Sequence, residues 1–195
     1  TDSELGRLKK INLNSERNTK VAVAGCVGQA EGQEIIKRSP IVDLVFGPLT
    51  YHQLPEMLDE IETRPGQPSK KLVNIDIPEE DKFLQLKDSR KNLKSISSLL
   101  SVQEGCDKFC SFCVVPYTRG VEISRPAKQI LNEAQELIDI GAKEIILLGQ
   151  NVNAWSQSNG KDTDMTFAQL INEISELNIE RIRYITSHPR DMTLG

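Results

Sequence analysis

The chain reads as an α/β protein built on parallel sheets, and three features of its 195 residues lead there. Short apolar runs alternate with longer stretches whose apolar residues recur at helical spacing. Most runs end at glycine or proline, as at Gly25, Gly47, Gly149 and Pro189. The connections are short, so successive strands lie parallel with helices crossing between them in the right-handed sense. Two such units emerge, separated by a stretch rich in proline and charge.

The first unit opens with polar residues 1–19, which carry a short helical pattern around Leu5 to Leu13. Lys20-Val21-Ala22-Val23-Ala24 is a buried strand closed by Gly25-Cys26. A helix is expected from Ala30 to Arg38, then a strand from Ile41 to Phe46, broken by Gly47-Pro48. A second helix starts near Pro55, since proline is tolerated in a first helical turn, and runs to about Glu62 with Leu54, Leu58 and Ile61 on one face. Parallel sheets place their sites on loops at the carboxyl ends of the strands, and Cys26 sits on such a loop. Residue type alone favours a packed cysteine there over a ligand.

Residues 63–95 contain Pro65, Pro68 and Pro78 and mixed charges, with strand-like Leu72 to Ile77 as the one apolar cluster. This stretch reads as a linker with some local structure. The charges at 79–94 read as a solvated surface, ahead of a phosphate-binding use of Lys87, Arg90, Lys91 and Lys94.

From Ile96 the β/α pattern resumes. Leu99 to Gln103 is a strand. Ser124-Arg125-Pro126 prepares a helix, with serine able to cap it and proline suited to its first turn. Ile130, Leu131, Ala134, Leu137 and Ile138 form its apolar face, and Gly141 ends it. Lys143 to Leu148 is the next strand and residues 156–164 are a loop. Thr166 caps a helix with Phe167, Leu170, Ile171, Ile174 and Leu177 on one face. Ile182 to Thr186 is the third strand, followed by Ser187-His188-Pro189, where His188 is expected to shape a turn rather than bind metal. The β/α units recur in pattern, not in sequence.

Composition narrows the functions. Hydrophobic residues make up 38% and charged residues 27%, as in a globular protein. No apolar run reaches the roughly 18 residues of a membrane span and no signal peptide opens the chain, so a cytoplasmic setting without membrane contact is the expectation. The net charge of −4 gives no whole-chain basic footprint for nucleic acid, which leaves phosphate contact to a local patch or a further domain. With two histidines a His-based triad is not expected. The chain opens on Thr1 rather than Met and stops at Gly195, so a fragment is expected.

Everything in the second unit points to residues 102–126, VQEGCDKFCSFCVVPYTRGVEISRP. They hold three of the four cysteines, Cys106, Cys110 and Cys113, spaced C-x3-C-x2-C. Thiolates ligate iron–sulfur clusters, and close-set cysteines can wrap one cluster. Zinc sites pair C-x2-C units or add histidines, whereas His52 and His188 are remote in sequence. Disulfide frameworks belong to small secreted chains. The iron–sulfur reading is favoured over both. Three thiolates on a four-iron cube leave one iron open to a substrate or cofactor.

These residues resemble a known family. C-x3-C-x-aromatic-C, ending in Cys110-Ser111-Phe112-Cys113, is similar to the signature of radical S-adenosylmethionine enzymes. CVVPYTRG, SRP, LLGQNVNAW and TSHP look like the branch of tRNA methylthiotransferases acting on isopentenyl-adenosine beside the anticodon. The resemblance implies a flavodoxin-like parallel sheet over 1–64, a linker over 65–95, and the first half of a radical S-adenosylmethionine (β/α)6 barrel over 96–195. It implies a 4Fe–4S cluster on Cys106, Cys110 and Cys113 whose open iron chelates S-adenosylmethionine, and cleavage of that cofactor to a deoxyadenosyl radical. It also implies a second 4Fe–4S cluster with Cys26, in Gly25-Cys26-Val27, as one ligand; its other two ligands have no counterpart in this chain. Phe112 would lie near the adenine of the cofactor, unless it merely anchors the loop. Gly149, Gln150 and Asn151 stand where relatives bind the amino group, though they depart from the usual Gly-Gly-Glu, and Gly149 alone also fits a tight turn. The implied partners are the tRNA anticodon stem-loop and an electron donor such as flavodoxin or ferredoxin.

Other residues stay open at this level. Arg119 and Arg125 could meet phosphate or a carboxylate, or simply face solvent. Tyr117 and Trp155 could stack on bases, with plain packing favoured for Trp155. Three alternatives stand beside the tRNA enzyme: a sister enzyme modifying a ribosomal protein side chain, a non-catalytic electron carrier, and an inactive fragment of the tRNA enzyme.

Overall fold

A computed structural model describes residues 2–13, 19–62, 70–77, 83, 95–158 and 165–192. The charged stretch 79–94 lies outside them apart from Phe83. The chain divides into two compact units, one of residues 1–85 with 117–119 and one of 86–116 with 120–195.

The first unit is a three-stranded parallel sheet in sequence order. Its strands are β1 (Ala22–Ala24), β2 (Leu44–Phe46) and β3 (Leu72–Asn74). Ala22 pairs with Leu44, and Leu44 with Leu72. The helices are α1 (Asp2–Leu13), α2 (Cys26–Glu31), α3 (Gln33–Arg38) and α4 (Leu54–Ile61). Two features depart from expectation. The single helix expected over 30–38 starts earlier, at Cys26, and is broken at Gly32, whose φ of 45° and ψ of −120° lie outside the helical region. The stretch expected as local structure in a linker supplies β3, the sheet's edge strand. One core joins Val21, Val23, Val45, Ile35 and Ile36; a second joins Leu44, Phe46, Met57 and Ile61.

The second unit is a parallel sheet of β4 (Ser97–Ser101), β7 (Glu144–Leu148) and β10 (Arg181–Tyr184), in the order β10-β7-β4. The crossovers carry α6 (Ala127–Asp139) and α7 (Phe167–Ser175). Their buried residues Ile130, Ala134, Leu137, Leu170 and Ile174 pack on Leu100, Ile145 and Leu147 of the sheet. α7 opens with a full capping box, in which the Thr166 hydroxyl accepts from the Gln169 amide and the Gln169 side chain accepts from the Thr166 amide. Two short antiparallel pairs complete the unit. β5 (Gln103–Glu104) pairs with β6 (Ile123–Ser124), and β8 (Ser156–Gln157) with β9 (Met165–Thr166). Between β5 and β6 lie the cysteine loop and the short helix α5 (Val115–Arg119).

At the end of the sheet away from the cysteines, Glu144 ties the strands together. It accepts from the Ser97 hydroxyl at 2.7 Å and from Arg181 Nη1 at 3.2 Å, with Arg183 Nη1 at 3.9 Å. The Ser97 bond foremost, then Arg181 and Arg183, hold the Glu144 carboxyl below its usual range against opposing desolvation. A depressed folded-state value contributes stability above the unfolded value, and that contribution is lost as pH falls through the folded one. Glu144→Gln is therefore expected to flatten the loss of stability on the acid side of pH 4.5. Superimposable acid unfolding profiles for the two proteins would refute this.

Candidate metal centre

The cysteine loop begins where β5 turns away from the sheet at Gly105. Its φ is +79°, and a Cβ there would lie 1.9 Å from the Val121 carbonyl oxygen and 2.7 Å from that of Gly120. Two glutamines fix this turn. Gln103, 2% exposed, donates from Nε2 to the Gly105 carbonyl at 2.7 Å and accepts from the Asn151 amide at 3.1 Å. Gln150 accepts from the Gly105 amide at 2.7 Å. The start of the cysteine loop is thus tied to the end of β7.

The three thiols differ. Cys106 is buried, Cys113 is half-buried and Cys110 is exposed; all are free, as is Cys26. The Cys106 amide donates to Gly120, and the Cys113 amide closes a turn onto the Cys110 carbonyl at 2.9 Å. Phe109 holds a left-handed φ of 47°, rare for an aromatic residue and a sign of a constrained loop. Burial pushes the Cys106 thiol up, with the Lys108 amide opposing. Among the described residues no three His, Cys, Asp or Glu side chains converge to share a single metal ion. An iron–sulfur cube instead takes thiolates on separate irons, and three free thiols on one loop are the donor set it uses.

A polar cluster braces the loop from the end of β10. Lys108 Nζ pairs with Asp191 at 2.9 Å, and Asn151 Nδ2 donates to Asp191 Oδ2 at 2.8 Å. Burial pushes the Asp191 carboxyl up, but Asn151 and Lys108 outweigh it and the net shift is downward. Burial pushes the nearby Glu122 carboxyl up. Lys108, Glu122 and Asp191 border a cleft of about 550 Å³ that Trp155, Phe167 and Tyr184 also line.

The residues expected at the site divide clearly. Phe112 is 96% exposed, so it does not anchor the loop. Gly149 is confined by its neighbours, since a Cβ there would meet Gln103 Oε1 at 2.6 Å. The Gln150 side chain is engaged with the loop backbone. Asn151 is 1% exposed, and its buried Oδ1 has no hydrogen-bond partner among the described residues. Cys26 begins α2 in the first unit, after Gly25 at φ +89°. Arg125 meets a carboxylate within the chain: it is 3% exposed and pairs with Glu133 at 2.5 Å, while Nη1 donates to the Ser101 carbonyl. Trp155 is packed in the core and donates to the Arg125 carbonyl at 2.9 Å. Tyr117 is exposed and Arg119 half-buried. His188 shapes its turn as expected, accepting from the Arg190 amide, and its ring also reaches Cys110. Gln103, Lys108, Glu122 and Asp191 were not foreseen. The one sequence signal for Gln103 is a polar side chain at the end of an apolar strand, just before the first cysteine.

Residues 100–193 match the family model of the radical SAM superfamily. That stretch, just under half of the chain, is similar to radical SAM proteins. This segment takes in the whole β4-β7-β10 sheet, apart from the first residues of β4, and all three loop cysteines. Over nearly its full length the chain is also similar to curated proteins named tRNA-2-methylthio-N(6)-dimethylallyladenosine synthase. It is 55% identical over 191 residues to that of Ruegeria pomeroyi, and 52% identical over 191 residues to that of Roseobacter denitrificans. With that of Agrobacterium fabrum it shares 48% identity over 197 aligned positions. Each alignment covers 97% of this chain and 42% of the relative. The matched segment therefore sits within a chain that spans less than half the length of those relatives. Among the described residues no helix is long and apolar enough to cross a membrane.

Proposed function

We propose that the chain is part of a cytoplasmic radical S-adenosylmethionine enzyme that methylthiolates isopentenyl-adenosine beside the tRNA anticodon. One observation carries this reading. Three free thiols, Cys106, Cys110 and Cys113, share one braced loop at the carboxyl end of a parallel sheet, in a chain about half identical to enzymes named for that product. In this reading residues 1–64 belong to a flavodoxin-like domain, 65–95 to a linker whose β3 adds to that domain's sheet, and 96–195 to the first half of a (β/α)6 barrel. Cys106, Cys110 and Cys113 hold a 4Fe–4S cluster, and Cys26 is one ligand of a second.

Cys106, Cys110 and Cys113 would hold the cluster, which when bound would supply the electron that splits S-adenosylmethionine. The chain's own groups bind and orient. Gln103, Gln150 and the Lys108–Asp191 pair fix the loop, so the thiols meet the metal already placed, at low entropic cost. The unpaired, buried Oδ1 of Asn151 offers an acceptor for an amino group. Exposed Phe112 offers an aromatic face to the adenine. A reducing protein such as flavodoxin or ferredoxin supplies electrons, and the anticodon stem-loop is the substrate.

The test is spectroscopic. The complete protein, reconstituted anaerobically and reduced, should change its electron paramagnetic resonance spectrum when S-adenosylmethionine is added. It should also convert isopentenyl-adenosine in tRNA to its methylthio derivative by mass. A spectrum indifferent to the cofactor would mean a fully ligated electron carrier. Modification of a ribosomal protein instead of tRNA would assign the sister activity.

A further inference from the structure

The imidazole of His188 lies against Cys110, 78 positions earlier in the chain, with Nε2 3.6 Å from Sγ. Its other nitrogen, Nδ1, accepts from the Arg190 amide at 3.2 Å. A nitrogen that accepts has no proton, so the neutral ring carries its proton on Nε2, facing the sulfur. The backbone of His188 is held as firmly as its ring. Asn153 Nδ2 donates to the His188 carbonyl and Asn153 Oδ1 accepts from the His188 amide, both at 2.9 Å. Three hydrogen bonds, from Arg190 and Asn153, thus fix the position, rotation and tautomer of a side chain that no ligand motif includes. Shaping the turn needs only Nδ1. Nothing in that role requires the Nε2 edge to face a thiol.

We infer that His188 is a positioning residue that donates an Nε2–H hydrogen bond to the Cys110 thiolate and so tunes the cluster this thiolate holds. The inference rests on the cluster reading above. A hydrogen bond to a ligating sulfur withdraws electron density from it, stabilises the more negative, reduced cluster and raises its reduction potential. It also orients the sulfur of the most exposed of the three thiols. Asn153 acts one step further out, by holding the backbone from which the ring projects.

The experiment compares wild type, His188→Leu and His188→Gln in the reconstituted complete protein by potentiometric titration followed by electron paramagnetic resonance. Leucine fills the space without a donor; glutamine keeps an N–H. His188→Leu is expected to make the cluster at least tenfold harder to reduce, which for a one-electron couple is about 59 mV toward negative potential. His188→Gln should recover most of that shift. Loss of the cluster to a chelator should run about tenfold faster in His188→Leu. An unchanged potential in His188→Leu, or an equal shift in both variants, overturns the donor role. If His188→Leu retains no cluster, the glutamine variant decides: a potential near wild type upholds the donor and a leucine-like failure refutes it. Failure of wild type to bind iron would instead refute the cluster reading itself, so the two failures are distinguishable.

Discussion

Cys110→Ala is expected to leave the reconstituted protein without an iron–sulfur chromophore, while the polypeptide still folds. The two halves of that expectation have separate causes. Alanine offers no ligand, and a cube held by the remaining two thiolates has two irons without protein donors. The fold is spared because Cys110 is exposed and its structural contribution, the carbonyl that accepts from the Cys113 amide, belongs to the backbone. Iron and sulfide contents should fall to the level of an apo control, and deoxyadenosine formation with them. The unfolding free energy of the apo protein, from chemical denaturation, should change by no more than the ~0.5 kcal/mol typical of surface substitutions. Undiminished iron binding in this variant would end the assignment of the loop. Cys106→Ala makes a less clean test, since that side chain is buried and its removal perturbs packing as well.

Gly105→Ala is expected to be the most damaging single methyl in the second unit. At φ +79° an L-residue is strained, by about 1–2 kcal/mol. The larger cost is contact. The added carbon would fall 1.9 Å from one backbone oxygen and 2.7 Å from another, and backbone in a braced hairpin cannot swing aside as a side chain does. Together these place the loss at about 3–5 kcal/mol, the range of severe core and backbone lesions. Gly141→Ala is the matched control. It also has a positive φ, 111°, but nothing lies within 4 Å of the new carbon, so only the conformational strain should appear. Equilibrium denaturation of the two variants separates the effects. Equal stability losses would refute the claim that the hairpin presses on Gly105. A Gly105→Ala protein that folds at reduced stability should also load iron poorly, because relieving the clash displaces Cys106.

The sheets and long helices were legible in the sequence because their signals are local and repeated. α6 and α7 each show several apolar residues on one face, and Thr166 marks its helix with a cap three residues before Gln169. The pairs β5–β6 and β8–β9 were not legible, since two residues carry no period. The break at Gly32 was hidden because one glycine within a helical pattern is often tolerated. β3 was legible as a strand-like run, but the prolines and charges around it read as a linker; its place in the first sheet comes from pairing with β2, a long-range fact.

The site followed the same division. Cysteines announce themselves by type and spacing. Their supports do not: Gln150 meets Gly105 across 45 positions and Asp191 meets Lys108 across 83. Arg125 shows the converse error open to residue-type reasoning. A basic side chain beside the cysteine run invites an anion, and the anion proves to be Glu133, about two turns into the helix that follows it.

The turn after β10 has a consequence for how this protein can be cut. A truncation before Ser187 would preserve every sulfur of the C-x3-C-x2-C motif and still lose the lysine's carboxylate partner, the asparagine's acceptor and the imidazole beside Cys110. The smallest piece worth loading with iron therefore reaches past Asp191, far downstream of its last cysteine.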